Sequence, residues 1–319
     1  MDYILLIVGF ALLIKGADVF VDGASALAKK IGIPSVIVGL TIVSLGTSAP
    51  ELAVSLISAL NGSNEIAVGN VVGSNLFNTL MVLGVTTVVL PLIIIKNKIK
   101  SDFCVCMGVS VLLFILTFDS ILGKDQNIIS RADGIILSLL CIAYIGFLVF
   151  KSFKTETEPL TDEEKNINIF VKIILMIIGV AAIVYGGNFV VDSASNIAKS
   201  FGMSEKLVGL TIVAMGTSLP ELVTSIVAAL KGENDIALGN VLGSNIFNIL
   251  LILGLSSVIT PITVSSSMIM DFAYLIAITL FIFALVFFNN KKEKKLSRLE
   301  GFILIALYAA YTIFIIIRN

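Results

Sequence analysis

Apolar residues fall in long blocks along this chain, not in the alternation of a strand or the one-sided stripe of a soluble helix. The blocks lie at about 3–22, 35–60, 66–95, 103–122, 132–150, 168–191, 205–230, 236–263, 270–289 and 300–317. Each can cross a bilayer as a helix, which takes about 20 apolar residues. The pattern predicts an all-α polytopic membrane protein with ten transmembrane helices. The one long polar stretch, 151–166, separates five spans from five. Its acidic cluster (Glu156, Glu158, Asp162, Glu163, Glu164) lacks the spacing of a calcium-binding loop and reads as a solvated linker. The expected organisation is a first five-helix unit at 1–150, the linker, and a second unit at 167–319.

The halves repeat. Residues 35–85 fall on 205–255 without a gap under a shift of 170 and match at 30 of 51 positions. Pro50 pairs with Pro220 and Pro91 with Pro261 under the same shift. An odd number of spans per half turns the second half over in the membrane, so two inverted five-helix repeats are predicted. That plan puts a transporter's substrate site near the midplane, at the repeat interface. Lys and Arg concentrate in every other connection, as at Lys29-Lys30, Lys96, Lys98, Lys100, Lys151, Lys154, Lys231 and the run from Lys291 to Arg298. Positive loops stay cytoplasmic. In a cell membrane both termini are then expected outside and the linker inside.

Composition narrows the function. Hydrophobic residues make up 57% and charged residues 13%, with a mean hydropathy of +1.07. A soluble domain carries about 25% charged residues. The net charge of −1 offers no basic surface for nucleic acid. Histidine is absent, which removes the commonest transition-metal ligand and the usual general base. Cys104, Cys106 and Cys141 lie in apolar stretches without metal or redox spacing. No enzyme motif and no cofactor site is legible, and the expected surroundings are the lipid bilayer.

Two motifs each occur twice. The first is Gly46-Thr47-Ser48-Ala49-Pro50-Glu51 in the second span, repeated as Gly216-Thr217-Ser218-Leu219-Pro220-Glu221 in the seventh. Each sets a carboxylate near the bilayer centre, at a cost of about 2.5–3.5 kcal/mol on insertion scales. Pro50 weakens the helix bonds near Leu45 and Gly46, freeing carbonyls such as that of Ser44 for an ion. Thr47 and Ser48, four and three residues before Glu51, are expected on its helical face. Carboxylate, hydroxyl and carbonyl oxygens suit a hard cation such as calcium. A structural proline kink with a paired glutamate explains one copy, and explains two symmetric copies poorly.

The second motif is Gly69-Asn70-Val71-Val72-Gly73-Ser74-Asn75-Leu76-Phe77-Asn78, repeated as Gly239-Asn240-Val241-Leu242-Gly243-Ser244-Asn245-Ile246-Phe247-Asn248. Asn70, Ser74 and Asn78 form one polar stripe, beside glycines suited to close helix packing. Ser74, Asn78, Ser244 and Asn248 read as ligands, and Asn75 and Asn245 as their supports. Lys15, Asp18, Asp22 and Asp192 read as interfacial charges near the ends of the first and sixth spans.

With both motifs in both halves, the chain resembles the cation/calcium exchanger superfamily, and within it the prokaryotic sodium/calcium exchangers. The resemblance covers the whole ten-span chain. It implies a secondary antiporter that exchanges calcium for sodium by alternating access, with the two long helices of spans one and six sliding in front of an ion-holding core. It implies Glu51 and Glu221 as the central carboxylates, with Thr47, Ser48, Thr217 and Ser218 beside them. It further implies backbone carbonyls of Ser44 and Ala214, and Ser74, Asn78 and Ser244 to complete the shell. Some relatives carry an aspartate at the position of Asn248, so this chain has two site carboxylates where they have three. Calcium/proton exchange, potassium-dependent exchange and a cation channel are the alternatives.

Overall fold

A computed structural model describes residues 1–62, 64–118, 126–154, 168–203, 214–288 and 291–318. Among the described residues, eight helices are long and apolar enough to cross a membrane. They are α1 (Asp2–Ile31), α4 (Ile66–Val89), α5 (Lys96–Thr117), α6 (Arg131–Lys154), α7 (Ile169–Ser200), α10 (Asn234–Ile259), α11 (Ile269–Phe287) and α12 (Arg298–Arg318). A ninth crossing is broken: α2 (Ser35–Thr47) and α3 (Ala49–Leu60) meet at a 50° bend. The seventh predicted span appears as the turn α8 (Ala214–Gly216) and α9 (Leu219–Leu230), and its first part, 204–213, lies outside the described residues. The fold is a polytopic bundle of apolar helices.

Helices α1 and α7 each run nine residues beyond the predicted ends of their spans. At 30 and 32 residues they exceed the hydrocarbon thickness, and the excess is carried as tilt or protrusion. Asp18 and Asp22 therefore sit well inside α1 and not at its end. Glycines stop the helices where the chain must turn with positive φ, at Gly32 and Gly202 after α1 and α7, and at Gly62 and Gly232 after α3 and α9. The two members of each pair are 170 residues apart, so the repeat extends to the backbone.

Helices α4 and α10 form the centre, with 72% and 78% of their apolar windows buried, against 17% for α12. The first motif's helix α2 packs on α10 through glycine. A Cβ on Gly39 would stand 2.7 Å from the Ile236 carbonyl, one on Gly239 2.7 Å from that of Val36, and one on Gly243 2.6 Å from that of Leu40. This assigns Gly239 and Gly243 to packing, as their small-residue spacing predicts. In front of this core, α1 and α7 cross antiparallel on a second glycine seam, where Gly9 meets Gly186 and Gly16 meets Gly179.

Short ladders tie the connections. Strand β1 (Ile93–Ile95) pairs antiparallel with β4 (Glu293–Lys295), and β2 (Ile128–Ile129) with β3 (Ile262–Thr263). Lys98 also bonds Asp235 at 2.7 Å, and Lys151 bonds the Lys98 carbonyl at 3.0 Å. The Lys-rich connections thus share one face. The opposite face holds β2 and β3, with Arg318 on the Ser267 carbonyl at 3.2 Å.

Two buried staples were not foreseen. Asp102 at the start of α5 accepts from Lys151 Nζ at 2.8 Å and Tyr144 Oη at 3.2 Å, both on α6. Asp271 at the start of α11 accepts from Arg318 at 2.8 Å and Tyr311 Oη at 3.0 Å, both on α12. Lys151 is therefore helical and not part of a solvated linker. The expected linker lies outside the described residues from 155 to 166.

Candidate cation site

The chain breaks at Ser48, whose φ of −82° and ψ of 11° end α2 and start α3. Pro50 stands in the first turn of the new helix, where its missing N–H costs no bond. Glu51 falls in that same first turn, on the positive end of the helix dipole. Ser218, Pro220 and Glu221 repeat the arrangement at the start of α9. Both glutamates are fully buried.

The break changes where the serines reach. On an unbroken helix Ser48 would share a face with Glu51. Instead its hydroxyl crosses to the other repeat and donates to Glu221 Oε1 at 2.8 Å. Ser218 donates to Glu51 Oε1 at 2.8 Å, so the exchange is reciprocal. Ser244 lies 3.0 Å from the Ser48 hydroxyl and 3.4 Å from Glu221 Oε1. The repeats meet at their carboxylates.

An amide holds each break. Asn70 donates to the Glu51 carbonyl at 3.2 Å and to Ser55 Oγ at 3.0 Å. Asn240 does the same to the Glu221 carbonyl at 3.3 Å and Ser225 Oγ at 3.0 Å. Their side-chain oxygens accept in turn from the opposite repeat, Asn240 from Thr47 at 3.0 Å and Asn70 from Thr217 at 3.5 Å. Ser55 and Ser225 escaped the motif reading, although their identity under the 170-residue shift was a usable signal. Ser44 keeps its carbonyl in the helix, accepting from the Ser48 N–H at 3.0 Å and the Thr47 hydroxyl at 3.3 Å. The Thr47 hydroxyl has one proton, and when that proton goes to Asn240 Oδ1 at 3.0 Å the Ser44 carbonyl keeps a second lone pair to offer. Ala214 is the first described residue of the second copy.

A polar layer continues beneath. Asn248 donates to Asn75 Oδ1 at 3.0 Å, Asn75 to the Asn245 carbonyl at 3.1 Å, and Asn245 to Thr79 at 2.7 Å. Both α4 and α10 loosen into π-helical stretches here, Phe77–Val82 and Asn248–Leu253, a distortion frequent at functional sites. Among the described residues, several buried atoms have no hydrogen-bond partner: Glu51 Oε2, Glu221 Oε2, Ser74 Oγ, both amide atoms of Asn78, and Asn248 Oδ1. Leaving such groups unpaired is costly in a low-dielectric core. Among the described residues no three of His, Cys, Asp and Glu cluster. The donor set is two carboxylates among neutral oxygens, the chemistry of a hard cation and not of a transition metal.

The family model described as sodium/calcium exchanger protein matches residues 1–153 and 171–317. The sodium/calcium exchanger MaX1 of Methanosarcina acetivorans is 33% identical, over 98% of this chain and 97% of that one. The putative antiporter CaxA of Alkalimonas amylolytica is 36% identical, over 97% and 96%. Solved structures of the sodium-calcium exchanger NCX_Mj superpose with a TM-score of 0.81 at 28% identity, covering 97% of this chain and 96% of theirs. The fold and site define a membrane antiporter of sodium and calcium, a transporter and not an enzyme. The chain belongs to the sodium/calcium exchanger family.

Proposed function

We propose that calcium and sodium compete for one central site built by both repeats. Its ligands are Glu51, Glu221, Thr47, Ser48, Thr217, Ser218, Ser74, Asn78, Ser244 and Asn248, with the carbonyls of Ser44 and Ala214. Two ionised glutamates neutralise one calcium ion, and sodium ions use the same oxygens, so occupancy by one excludes the other. That exclusion is the basis of antiport. The observation that carries the reading is the reciprocal pair of serine–glutamate bonds, each leaving a buried carboxylate oxygen unpartnered. Calcium uptake into sodium-loaded proteoliposomes tests it. Glu51→Gln and Glu221→Gln should each abolish uptake while leaving a monodisperse protein, and near-normal uptake in either would overturn the two-carboxylate site.

The site works by alternating access between two inverted five-helix repeats, 1–150 and 167–319, in a ten-helix protein of the cell membrane. Counterpart elements on opposite faces support inversion: under the 170-residue shift β1 overlaps β3 at Ile93 and Thr263, Asp102 falls one residue from Asp271, and each pair is split between the faces. The Lys-rich face is cytoplasmic, and the termini are outside. A cysteine in place of Glu158 should resist an impermeant thiol reagent in intact cells, and labelling from outside would reverse this topology.

A further inference from the structure

The repeat allows each position to be compared with its counterpart 170 residues away, and the two halves are not in the same state. A cavity of about 300 Å³ reaches the site from one side, walled by Pro50, Val54, Asn188, Val191, Asp192 and Thr217. Val54, Val191, Thr217 and Asn70 are all incompletely buried. Their counterparts Thr224, Val21, Thr47 and Asn240 are all buried. The bond from Thr217 to Asn70 is 3.5 Å, where that from Thr47 to Asn240 is 3.0 Å. One entrance is open and its mirror image is closed.

The closed side has a fastening. The cavity residues Asn188 and Asp192 correspond to Asp18 and Asp22, one turn apart on α1. Lys231, just past the end of α9, places its ammonium 2.7 Å from Asp18 Oδ1, 2.6 Å from Asp22 Oδ1 and 2.7 Å from the Asp18 carbonyl. These satisfy all three of its donors. Ser25 of α1 bonds Glu233 across the same seam. Burial works against the Lys231 charge, but the bonds to Asp18 and Asp22 outweigh it and leave the amine above its ordinary range. The counterpart of Lys231 in the first half is Asn61, which carries no charge.

We propose that Lys231 is a one-sided latch, clamping α1 to the end of α9 through Asp18 and Asp22 and so holding the Lys-rich entrance shut. This rests on the alternating-access reading above. Opening that side breaks the clamp, and Asn61, at the matching place in the first half, carries no charge to refasten on the other side. The resting population is thereby biased toward the state seen here. The side chains keep 23% (Lys231), 44% (Asp18) and 58% (Asp22) exposure, so solvent screens the pair. A screened pair shifts a two-state equilibrium by at most about fivefold, weak enough to yield during transport.

The test reads accessibility and needs no transport. In protein lacking Cys104, Cys106 and Cys141, a reporter cysteine replaces Val223, the mirror position of the cavity residue Ala53. Its labelling rate by an impermeant thiol reagent in liposomes is normalised to a reporter at Ala53. Lys231→Gln should raise the normalised rate about two- to fivefold, and Lys231→Arg should leave it near the parent value. Asp18→Asn with Asp22→Asn should give the same rise, with nothing added by Lys231→Gln. Should Lys231→Gln fail to fold, Asp22→Asn alone should still raise the rate. An unchanged rate in the lysine and aspartate variants overturns the latch. Retained calcium uptake in Glu51→Gln would overturn the ligand set and leave the latch standing.

Discussion

Replacing Lys151 with methionine should destabilise the protein by an amount the structure sets. The methionine keeps the apolar stem and removes only the ammonium. Asp102 is fully buried, and without Lys151 its nearest donors are the neutral hydroxyls of Tyr144 and Ser101, both at 3.2 Å. Stranding a buried charge costs about 3–5 kcal/mol. Lys151 itself keeps 22% exposure, which favours the lower end, about 3 kcal/mol. An unfolding entropy of about 2.1 cal/mol/K per residue gives a 319-residue chain roughly 1.5 °C per kcal/mol, a loss of about 4–5 °C. Adding Asp102→Asn removes the stranded charge and should recover most of the loss. The measurement is the surviving monodisperse fraction after heating in detergent at one fixed rate, since membrane proteins unfold irreversibly. A loss below about 2 °C, or a double variant no better than the single, would refute the assignment of a charge-pair staple.

Gly239→Val should abolish exchange in folded protein, because its side chain would stand 2.7 Å from the Val36 carbonyl and push α2, with Ser48, away from Glu221. Gly108→Ala, where a methyl meets nothing within 4 Å, should leave exchange unchanged, and full activity in Gly239→Val would contradict the packing argument. Exchange should also respond to voltage. On the proposed ligand set one calcium ion neutralises Glu51 and Glu221, while a third sodium ion on the neutral oxygens would make the sodium-loaded site +1. That step then feels about 2.3 kcal/mol per 100 mV. Calcium flux indifferent to an imposed potential at fixed ion gradients would show that only two sodium ions bind.

The eight long spans, the broken ninth and the duplicated motifs are legible because both signals are local: apolar length, and identity under a fixed shift. The partnering of the serines was not. Spacing of three and four residues predicts a shared helical face, and that rule fails where α2 ends at Ser48. The long ends of α1 and α7 were missed because hydropathy falls near Lys29 and Ser200 while the helices continue toward Gly32 and Gly202. The staples were invisible for another reason. Asp102 and Lys151 are 49 residues apart, and Asp271 and Arg318 are 47 apart, so each sits in the sequence as an isolated charge with no sign of its partner.

The glycine seam between α1 and α7 has a mechanical consequence. At Gly9 with Gly186 and at Gly16 with Gly179, backbone meets backbone with no side chain between, at two points seven residues apart on each helix. Two such contacts fix both the register and the angle of the pair, which therefore moves as one stiff beam. The beam carries Asp18 and Asp22 at one gate and Asn188 and Asp192 at the other. A displacement that draws it away from one gate presses it onto the other, as a rocker on a single pivot does. On the alternating-access reading proposed above, both gates cannot then stand open together, and the close backbone contacts at four glycines protect the ion gradients from a leak.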